Sequence, residues 1–204
     1  IIGTDFGIEV FDDEESTFHN IPIRGDAGSR PRFMSFFQYK SDLYAIAYMS
    51  RVLKFNEDQG LFEVVSKKVD QMFANCLDGD SIYLSQGNGH LFTSIESFIA
   101  GDYLTTNNGS PVFWDLEEYD QKVFGAGWSV VFGKGGLYLL DAHSAVNYTD
   151  SLMIKSKEIL GLEYDSLSGL LYLASIDQGL IVVNWNSSIR HFPVVNFDKK
   201  IISA

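Results

Sequence analysis

The chain has 204 residues, 46% of them hydrophobic, which is enough to build one globular core. Its formal net charge of −12 makes nucleic acid an unfavourable partner, and an anionic membrane face likewise, because like charges repel. No apolar run reaches the roughly 18 residues of a bilayer-spanning helix, so we expect no membrane insertion of this segment. The single cysteine, Cys76, excludes an internal disulfide framework and lies in an apolar run that predicts burial.

A hairpin pattern opens the chain and recurs four more times. Each copy is an apolar run, a tight turn and a second apolar run, and the copies span residues 1–12, 45–56, 83–94, 129–141 and 173–185. The turns close on Gly7, Arg51, Gly89, Gly136 and Gly179, with spacings of 44, 38, 47 and 43 residues. This period is typical of a four-stranded propeller blade of about 40–50 residues. We therefore predict an all-β fold, a β-propeller or propeller segment with about five four-stranded blade repeats, in a single domain over 1–204.

Strand signals follow one another between short polar turns. The first copy predicts strands at 1–4, 7–12 and 17–21, and the second at 32–39, 43–49, 51–56 and 61–66. The fourth copy predicts strands at 122–127, 128–133, 136–141 and 146–150, and the fifth at 159–165, 170–175, 179–185 and 189–194. Gly179 is expected to take a positive φ that closes its hairpin.

Two stretches depart from this pattern. Residues 95–110 follow the weakest copy and are interpreted as an insertion or irregular loop. Residues 64–75 come closest to helical periodicity but are short and have no clear cap. We therefore expect no sustained helix.

Two copies resemble the repeats of two-component regulator propellers. Gly3, Thr4, Asp5, Gly7, Phe11 and Asp12 match that repeat in the first copy, and Asp165, Gly169, Asp177, Gly179 and Leu180 match it in the last. The resemblance implies a periplasmic or extracellular sensor domain set beside a membrane-linked kinase or regulator. Such sensors have many more blades than five, and this chain is short by comparison.

The phase of the repeat leaves two arrangements open. The pattern predicts that residue 1 lies in the second strand of a blade and that residues 199–204 also form a second strand. The chain is then either an arc of a larger propeller, which we slightly favour, or five blades that close with the terminal strand doubled or displaced.

Recognisable catalytic and metal-binding motifs are missing from the sequence. Residues 133–136 form no phosphate loop and are expected to be a hairpin turn, because no Lys-Ser or Lys-Thr follows and no helix opens there. The four histidines fall in four different repeats, so we predict no metal site and no cofactor. The acidic runs at 12–15 and 117–120 are interpreted as solvated turns, with calcium as the alternative.

The turns of the repeated hairpins are the predicted binding surface. In a propeller, the turns between second and third strands gather on one face, and here they vary although the fold requires only turn formers. The candidate ligand-binding residues are Asp5, Phe6, Tyr48, Arg51, Asn88, His90, Lys134, Asp177 and Gln178. We predict a non-catalytic sensing module that binds a small molecule or glycan on this face. The alternatives are a protein-interaction scaffold within a larger assembly and a propeller lyase or hydrolase.

Overall fold

A computed structural model describes residues 1–5, 7–25, 32–48, 51–66, 71–87, 89–103, 109–119, 121–127 and 134–184. The chain divides into two compact units, Ile1–Gly87 with Leu91–Thr106, and Asn88–His90 with Asn107–Ala204. Across the described ranges, no helix is long and apolar enough to cross a membrane. The predicted strands at 128–133 and 189–194, and the predicted terminal strand at 199–204, lie outside the described residues.

The first sheet of the first unit is an antiparallel meander. Its strands, in spatial order, are β1 (Ile2–Gly3), β2 (Ile8–Asp12) and β3 (Thr17–Ile21). Gly7 has a φ of 152° and precedes β2, at the predicted turn position. The acidic run beginning at Asp12 continues into the exposed turn between β2 and β3, as predicted.

The second sheet contains the four strands predicted around Arg51. They are β5 (Phe33–Tyr39), β6 (Asp42–Ala47), β7 (Val52–Asn56) and β8 (Leu61–Val64), paired antiparallel in chain order. A short strand, β4 (Ile23–Arg24), adds to the outer edge, parallel to β8. Ala45, Ile46, Val52, Leu53 and Phe62 are fully buried, because both faces of this sheet are covered.

The third sheet ends in a helix, and this corrects one prediction. Its strands are β9 (Met72–Asp78), β10 (Ser81–Gln86) and β11 (Gly89–Ser94), followed by α1 (Ile95–Ala100). The interpretation of 95–110 as irregular is therefore wrong for its first six residues. Ser94 caps α1 by accepting from the N–H of Ser97, and Gly101 ends it with a φ of 74°. In the described part of 64–75, Val64 ends β8 and Met72 begins β9, in agreement with the expectation of no sustained helix. Cys76 is buried in β9.

The fourth sheet belongs to the second unit and has four strands in chain order. They are β12 (Phe113–Tyr119), β13 (Lys122–Gly127), β14 (Gly136–Leu140) and β15 (Ala145–Asn147). Glu117 and Glu118 thus lie inside a strand, so the prediction of a solvated turn there is wrong. A register shift between Phe113 and Asp115 breaks the alternation of apolar and polar residues, which hid this strand in the sequence.

The fifth sheet agrees with the sequence along all of its described strands. It consists of β16 (Ile159–Asp165), β17 (Leu170–Ser175) and β18 (Gly179–Asn184). Gly179 has the predicted positive φ, at 73°. Leu162, Leu171, Leu173 and Val183 from this sheet pack with Phe124, Ala126 and Leu137 of the fourth sheet in one core.

Candidate functional site

Two predicted turn residues of the first unit meet at Arg32, which stands just before β5. The guanidinium Nε of Arg32 lies 3.3 Å from Oδ1 of Asp5, and both side chains are largely exposed. The carbonyl oxygen of Arg32 accepts a 2.7 Å hydrogen bond from the N–H of Tyr48. The N–H of Phe33 donates to the carbonyl of Thr4 at 3.2 Å, which holds the β1–β2 turn against the start of β5. The β1–β2 and β6–β7 turns therefore share one end of the unit.

An aromatic contact extends this end to the third sheet. The Tyr48 and Phe73 rings have centroids 5.3 Å apart and are both half-buried. Arg51, also half-buried, closes the same turn as Tyr48, and its carbonyl accepts from the N–H of Ala47 at 3.0 Å. Exposed charges beside an aromatic pair give a surface that can both hydrogen-bond and stack a ligand. We call Asp5, Arg32, Tyr48, Arg51 and Phe73 the turn surface.

Gln86 supplies a buried polar group at the same end. It is the last residue of β10 and pairs in register with Met72, the neighbour of Phe73. Its side chain is only 3% exposed, and Nε2 has no hydrogen-bond partner within the part of the chain that the structure describes. Buried amide groups are almost always hydrogen-bonded, so this donor is suited to a buried water.

Sequence reasoning missed Arg32 and Phe73. It examined only the hairpin turns, whereas Arg32 and Phe73 lie where first strands begin, at the same end of the sheets. The antiparallel order predicts this position, because the start of a first strand lies opposite the end of the second. Two predicted site residues, Phe6 and Asn88, lie outside the described residues.

His90 belongs to the second unit and is fully buried there, although the sequence placed it beside an exposed turn. Its Nδ1 lies 3.1 Å from Oγ of Ser110, and its Nε2 lies 2.8 Å from the carbonyl oxygen of Asp141. The carbonyl can only accept, so Nε2 carries the proton and Nδ1 accepts from the serine hydroxyl. Burial lowers the pKa of His90, which keeps the ring neutral. This environment is structural, and we leave His90 out of the ligand surface.

The other predicted residues of the second unit remain near the surface. Lys134 is exposed and donates from Nζ to the carbonyl of Gly109 at 2.9 Å. Oδ1 of Asp177 accepts hydrogen bonds from the hydroxyls of Ser156 and Ser175, and these bonds lower the pKa of Asp177. The N–H of Gln178 donates to Ser175 at 3.2 Å. These contacts fix the β17–β18 turn.

Two half-buried carboxyl groups connect strands of the second unit. Asp115 on β12 accepts from the N–H of Leu162 on β16 at 2.8 Å and from its neighbour Leu116 at 2.9 Å. Two positions along β12, Glu117 accepts from the N–H of Tyr164. Burial raises both pKa values, that of Glu117 to about 7 with further help from the nearby charge of Glu163. The two side chains thus satisfy alternate N–H groups along the edge of β16.

One exposed group offers metal-ligating atoms. Asp12, Glu15 and His19 place one such atom each within 4.8 Å of the others. Oδ1 of Asp12 already accepts from the backbone N–H groups of Glu14 and Glu15, which lowers the pKa of Asp12. The cluster therefore has the hydrogen bonds of an ordinary solvated turn, and we assign no metal to it.

No protein-family model matches the chain, and no curated protein matches it. PorZ of Porphyromonas gingivalis, a bacterial surface component of the type-IX secretion system, matches with a TM-score of 0.61 and 18% identity over 89% of this chain and 30% of PorZ. An auxiliary nutrient binding protein from Bacteroides thetaiotaomicron matches with a TM-score of 0.56 and 9% identity. The match covers 85% of this chain and 46% of that protein. The C-terminal WD40 domain of Sif2 matches with a TM-score of 0.55 and 13% identity. The match covers 94% of this chain and 56% of the Sif2 domain.

These likenesses establish the fold alone, and it is a propeller fold, as predicted. The chain spans less than two thirds of the length of each of these proteins. Extracellular domains of hybrid two-component systems from B. thetaiotaomicron also match, with TM-scores of 0.43 and 0.33. Scores this low carry no argument. The propeller fold that the sequence resemblance implied is confirmed by the other structures.

Proposed function

We propose that this chain is a non-catalytic sensing module of a β-propeller and that it binds a small molecule or glycan on the turn surface. One observation carries the proposal. The turns of separate sheets bring Asp5, Arg32 and Tyr48 into contact at one end of the first unit, and none of these side chains fills the core. Polar residues that a fold does not require, placed together on a rigid frame, are the usual make-up of a binding surface.

The local charge supports a polar ligand. The five residues of the turn surface include two arginines, Arg32 and Arg51, and one acid, Asp5, on a chain whose net charge is −12. Such a patch favours ligands with acceptor oxygens, and the Tyr48–Phe73 pair adds a stacking face. Binding would act by favouring one state of a partner segment, without chemistry on the ligand.

The proposed location is periplasmic or extracellular. The resemblance of the first and last repeats to two-component regulator propellers implies such a location. The description of PorZ as a surface component agrees with it. The nutrient-binding neighbour agrees with a small-molecule or glycan ligand in the same way.

A propeller hydrolase or lyase is the main competing function. Glu117 has the raised pKa expected of a general acid, and Asp115 is close along the same strand. However, both carboxyl groups accept hydrogen bonds from the backbone of β16, and burial is the largest cause of each pKa shift. Their environment is explained by strand pairing, so the non-catalytic function is favoured.

A thermal-shift screen against saccharides and small metabolites tests the proposed function. A ligand of the turn surface should raise the Tm of the wild-type protein, because it binds only the folded state. Arg32→Gln should abolish that rise, whereas the matched surface variant Arg24→Gln, on β4, should keep it. Hydrolysis or elimination of a hit by the wild-type protein, lost in Glu117→Gln, would instead favour the enzyme. A scaffold would show no hit and would bind a protein through exposed strand edges such as β3.

A further inference from the structure

A second cleft lies on the β5–β8 sheet, and none of its lining residues belongs to the turn surface. It has a volume of about 340 Å³, within the range of small-ligand sites. One wall comes from the end of β5 and the start of β6, and the other from α1. Its lining includes Tyr39, Lys40, Asp42, Tyr44, Glu96 and Ile99, and we call it the tyrosine cleft.

The cleft is located where the chain departs from its own repeat. After β11 the described chain forms α1 and not a fourth strand of the third sheet. Phe98 of this helix is fully buried and contacts Phe37 of β5, with the two rings tilted by 49° and their centroids 6.2 Å apart. This anchor leaves Glu96 and Ile99 facing the cleft. Insertions into repeat proteins often map to a binding face, so a helix that the propeller does not need points to a ligand.

The charged groups in and beside the cleft are paired with each other. Nζ of Lys40 lies 2.7 Å from Oε1 of Glu96, and this hydrogen bond raises the pKa of the lysine and lowers that of the glutamate. Nζ of Lys54, just outside the lining, lies 2.6 Å from Oδ2 of Asp42. An ionic ligand would have to break one of these pairs to make its own. A neutral hydroxyl can accept from an ammonium N–H or donate to a carboxylate lone pair while both pairs persist.

The remaining lining is aromatic and aliphatic. Tyr44 is almost completely buried, and its hydroxyl lies 3.5 Å from Oδ2 of Asp42. Tyr39 is half-buried, with the ammonium group of Lys40 4.9 Å from the centre of its ring. Ile99 and Val65 supply further apolar contact. Aromatic rings combined with paired donors and acceptors match the surface of a sugar, whose C–H faces are apolar and whose rim carries hydroxyls.

From these contacts we propose that the tyrosine cleft binds a neutral saccharide ring. The site is separate from the turn surface and does not depend on it. The hydroxyls of the sugar would contact Glu96, Lys40 and Asp42, and an apolar face would pack on Tyr39 and Ile99. Charged sugars should bind more weakly, because they would compete with the existing ion pairs.

Amide chemical-shift mapping by NMR tests this directly. Cellobiose, maltose, lactose and xylobiose serve as neutral probes, and galacturonic acid and glucosamine as charged ones. At least one neutral disaccharide should shift the amides of Lys40, Glu96 and Ile99 in a saturable way. Glu96→Gln should weaken that binding about ten- to a hundredfold, the effect expected for the loss of one charge-assisted hydrogen bond. Glu14→Gln, an exposed carboxyl in the β2–β3 turn, should leave binding unchanged and is the matched control.

A second variant keeps the result interpretable. Tyr39→Leu keeps an apolar side chain and removes the ring, so a folded Tyr39→Leu protein should also lose saccharide binding. The proposal is overturned if no neutral disaccharide binds, or if binding survives both Glu96→Gln and Tyr39→Leu. Saccharide binding that is lost in Arg32→Gln but kept in Glu96→Gln would overturn the cleft proposal while supporting the turn surface. Binding that is lost in Glu96→Gln but kept in Arg32→Gln would support the cleft, and it would show that this saccharide does not bind the turn surface.

Discussion

The turn surface of the first unit and two sites of the second unit use polar side chains in different ways. At the second-unit sites, buried His90 binds the carbonyl of Asp141 and half-buried Asp115 binds the N–H of Leu162. In the turn surface of the first unit, Asp5 and Arg32 are exposed and pair with each other. The first kind of group holds strands together, whereas the second contributes little to the fold. A perturbed pKa alone therefore does not identify a binding residue in this protein.

The largest loss of stability is expected from Gly136→Ala in the second unit. Gly136 has a φ of 119°, and a Cβ there would collide with the side chain of Thr149, whose Oγ1 accepts from the N–H of Leu137 at 2.9 Å. Backbone strain, steric overlap and the weakened hydrogen bond together should cost about 3 kcal/mol or more. Gly169→Ala is the matched control, because its φ is 68° and no atom lies within 4 Å of the new Cβ. It should cost only about 1 kcal/mol in urea unfolding. Equal losses of stability in the two variants would show that the contact with Thr149 does not penalise a Cβ at position 136.

Asp115→Asn should have the next largest effect. The amide keeps one acceptor oxygen but turns an NH₂ group toward a backbone N–H, at either Leu162 or Leu116. We expect a loss of about 1–2 kcal/mol in the free energy of unfolding. Asp5→Asn makes the same chemical change on the turn surface and should cost less than about 0.5 kcal/mol. If the two variants lose the same stability, the contrast between Asp115 and the turn surface is wrong.

The pKa of Glu117 predicts a pH dependence of the same unit. Burial raises this pKa from 4.5 to about 7, so the folded state holds a proton that the unfolded state releases. The resulting stability is complete below pH 4.5 and is lost as the pH rises through about 7. Because Glu117 is half-exposed, solvent screening limits the effect to about 1 kcal/mol.

Glu117→Gln should flatten this dependence and be the more stable protein at pH 8. Urea unfolding of both proteins at pH 5 and pH 8 measures the difference. Comparing the two proteins removes the contribution of His90, whose lowered pKa acts in the opposite direction in both. A wild-type protein that gains stability relative to Glu117→Gln as the pH rises would contradict the assignment.

The smallest effect on stability is expected at the turn surface. Arg32→Gln removes an exposed ion pair, and such pairs contribute about 0–1 kcal/mol. Its backbone carbonyl still accepts from Tyr48, so the turn should persist. Urea unfolding should place this variant within about 0.5 kcal/mol of wild type. A larger loss would mean that Arg32 is structural, as Asp115 is.

The sequence predicts the repeated hairpins well because turn chemistry is local. Gly7, Gly89, Gly136 and Gly179 all have positive φ at the predicted positions. It fails at β12, where a register shift disrupts the alternation of side chains, and at α1, where six residues are too few to show helical periodicity. Both errors arise where one irregular residue or one short element overrides a pattern that needs several residues to be read.

The candidate site was predictable only in part. Asp5, Tyr48 and Arg51 lie in hairpin turns, which the sequence marks clearly. Arg32 and Phe73 precede or begin first strands, and their role depends on how neighbouring sheets pack. His90 shows the converse, because its dipeptide Gly89–His90 marks a turn while the ring is directed into the core. Side-chain direction at the start of a strand follows from tertiary packing, and no local motif records it.

The most direct test compares ligand-induced stabilisation of wild-type and Arg32→Gln proteins in the saccharide and metabolite screen. We predict that at least one compound raises the Tm of the wild-type protein, that Arg32→Gln removes this rise, and that the two ligand-free proteins melt within about 2 °C of each other. A compound that stabilises both proteins equally, or a marked fall in the Tm of ligand-free Arg32→Gln, would contradict a turn surface that binds without supporting the fold.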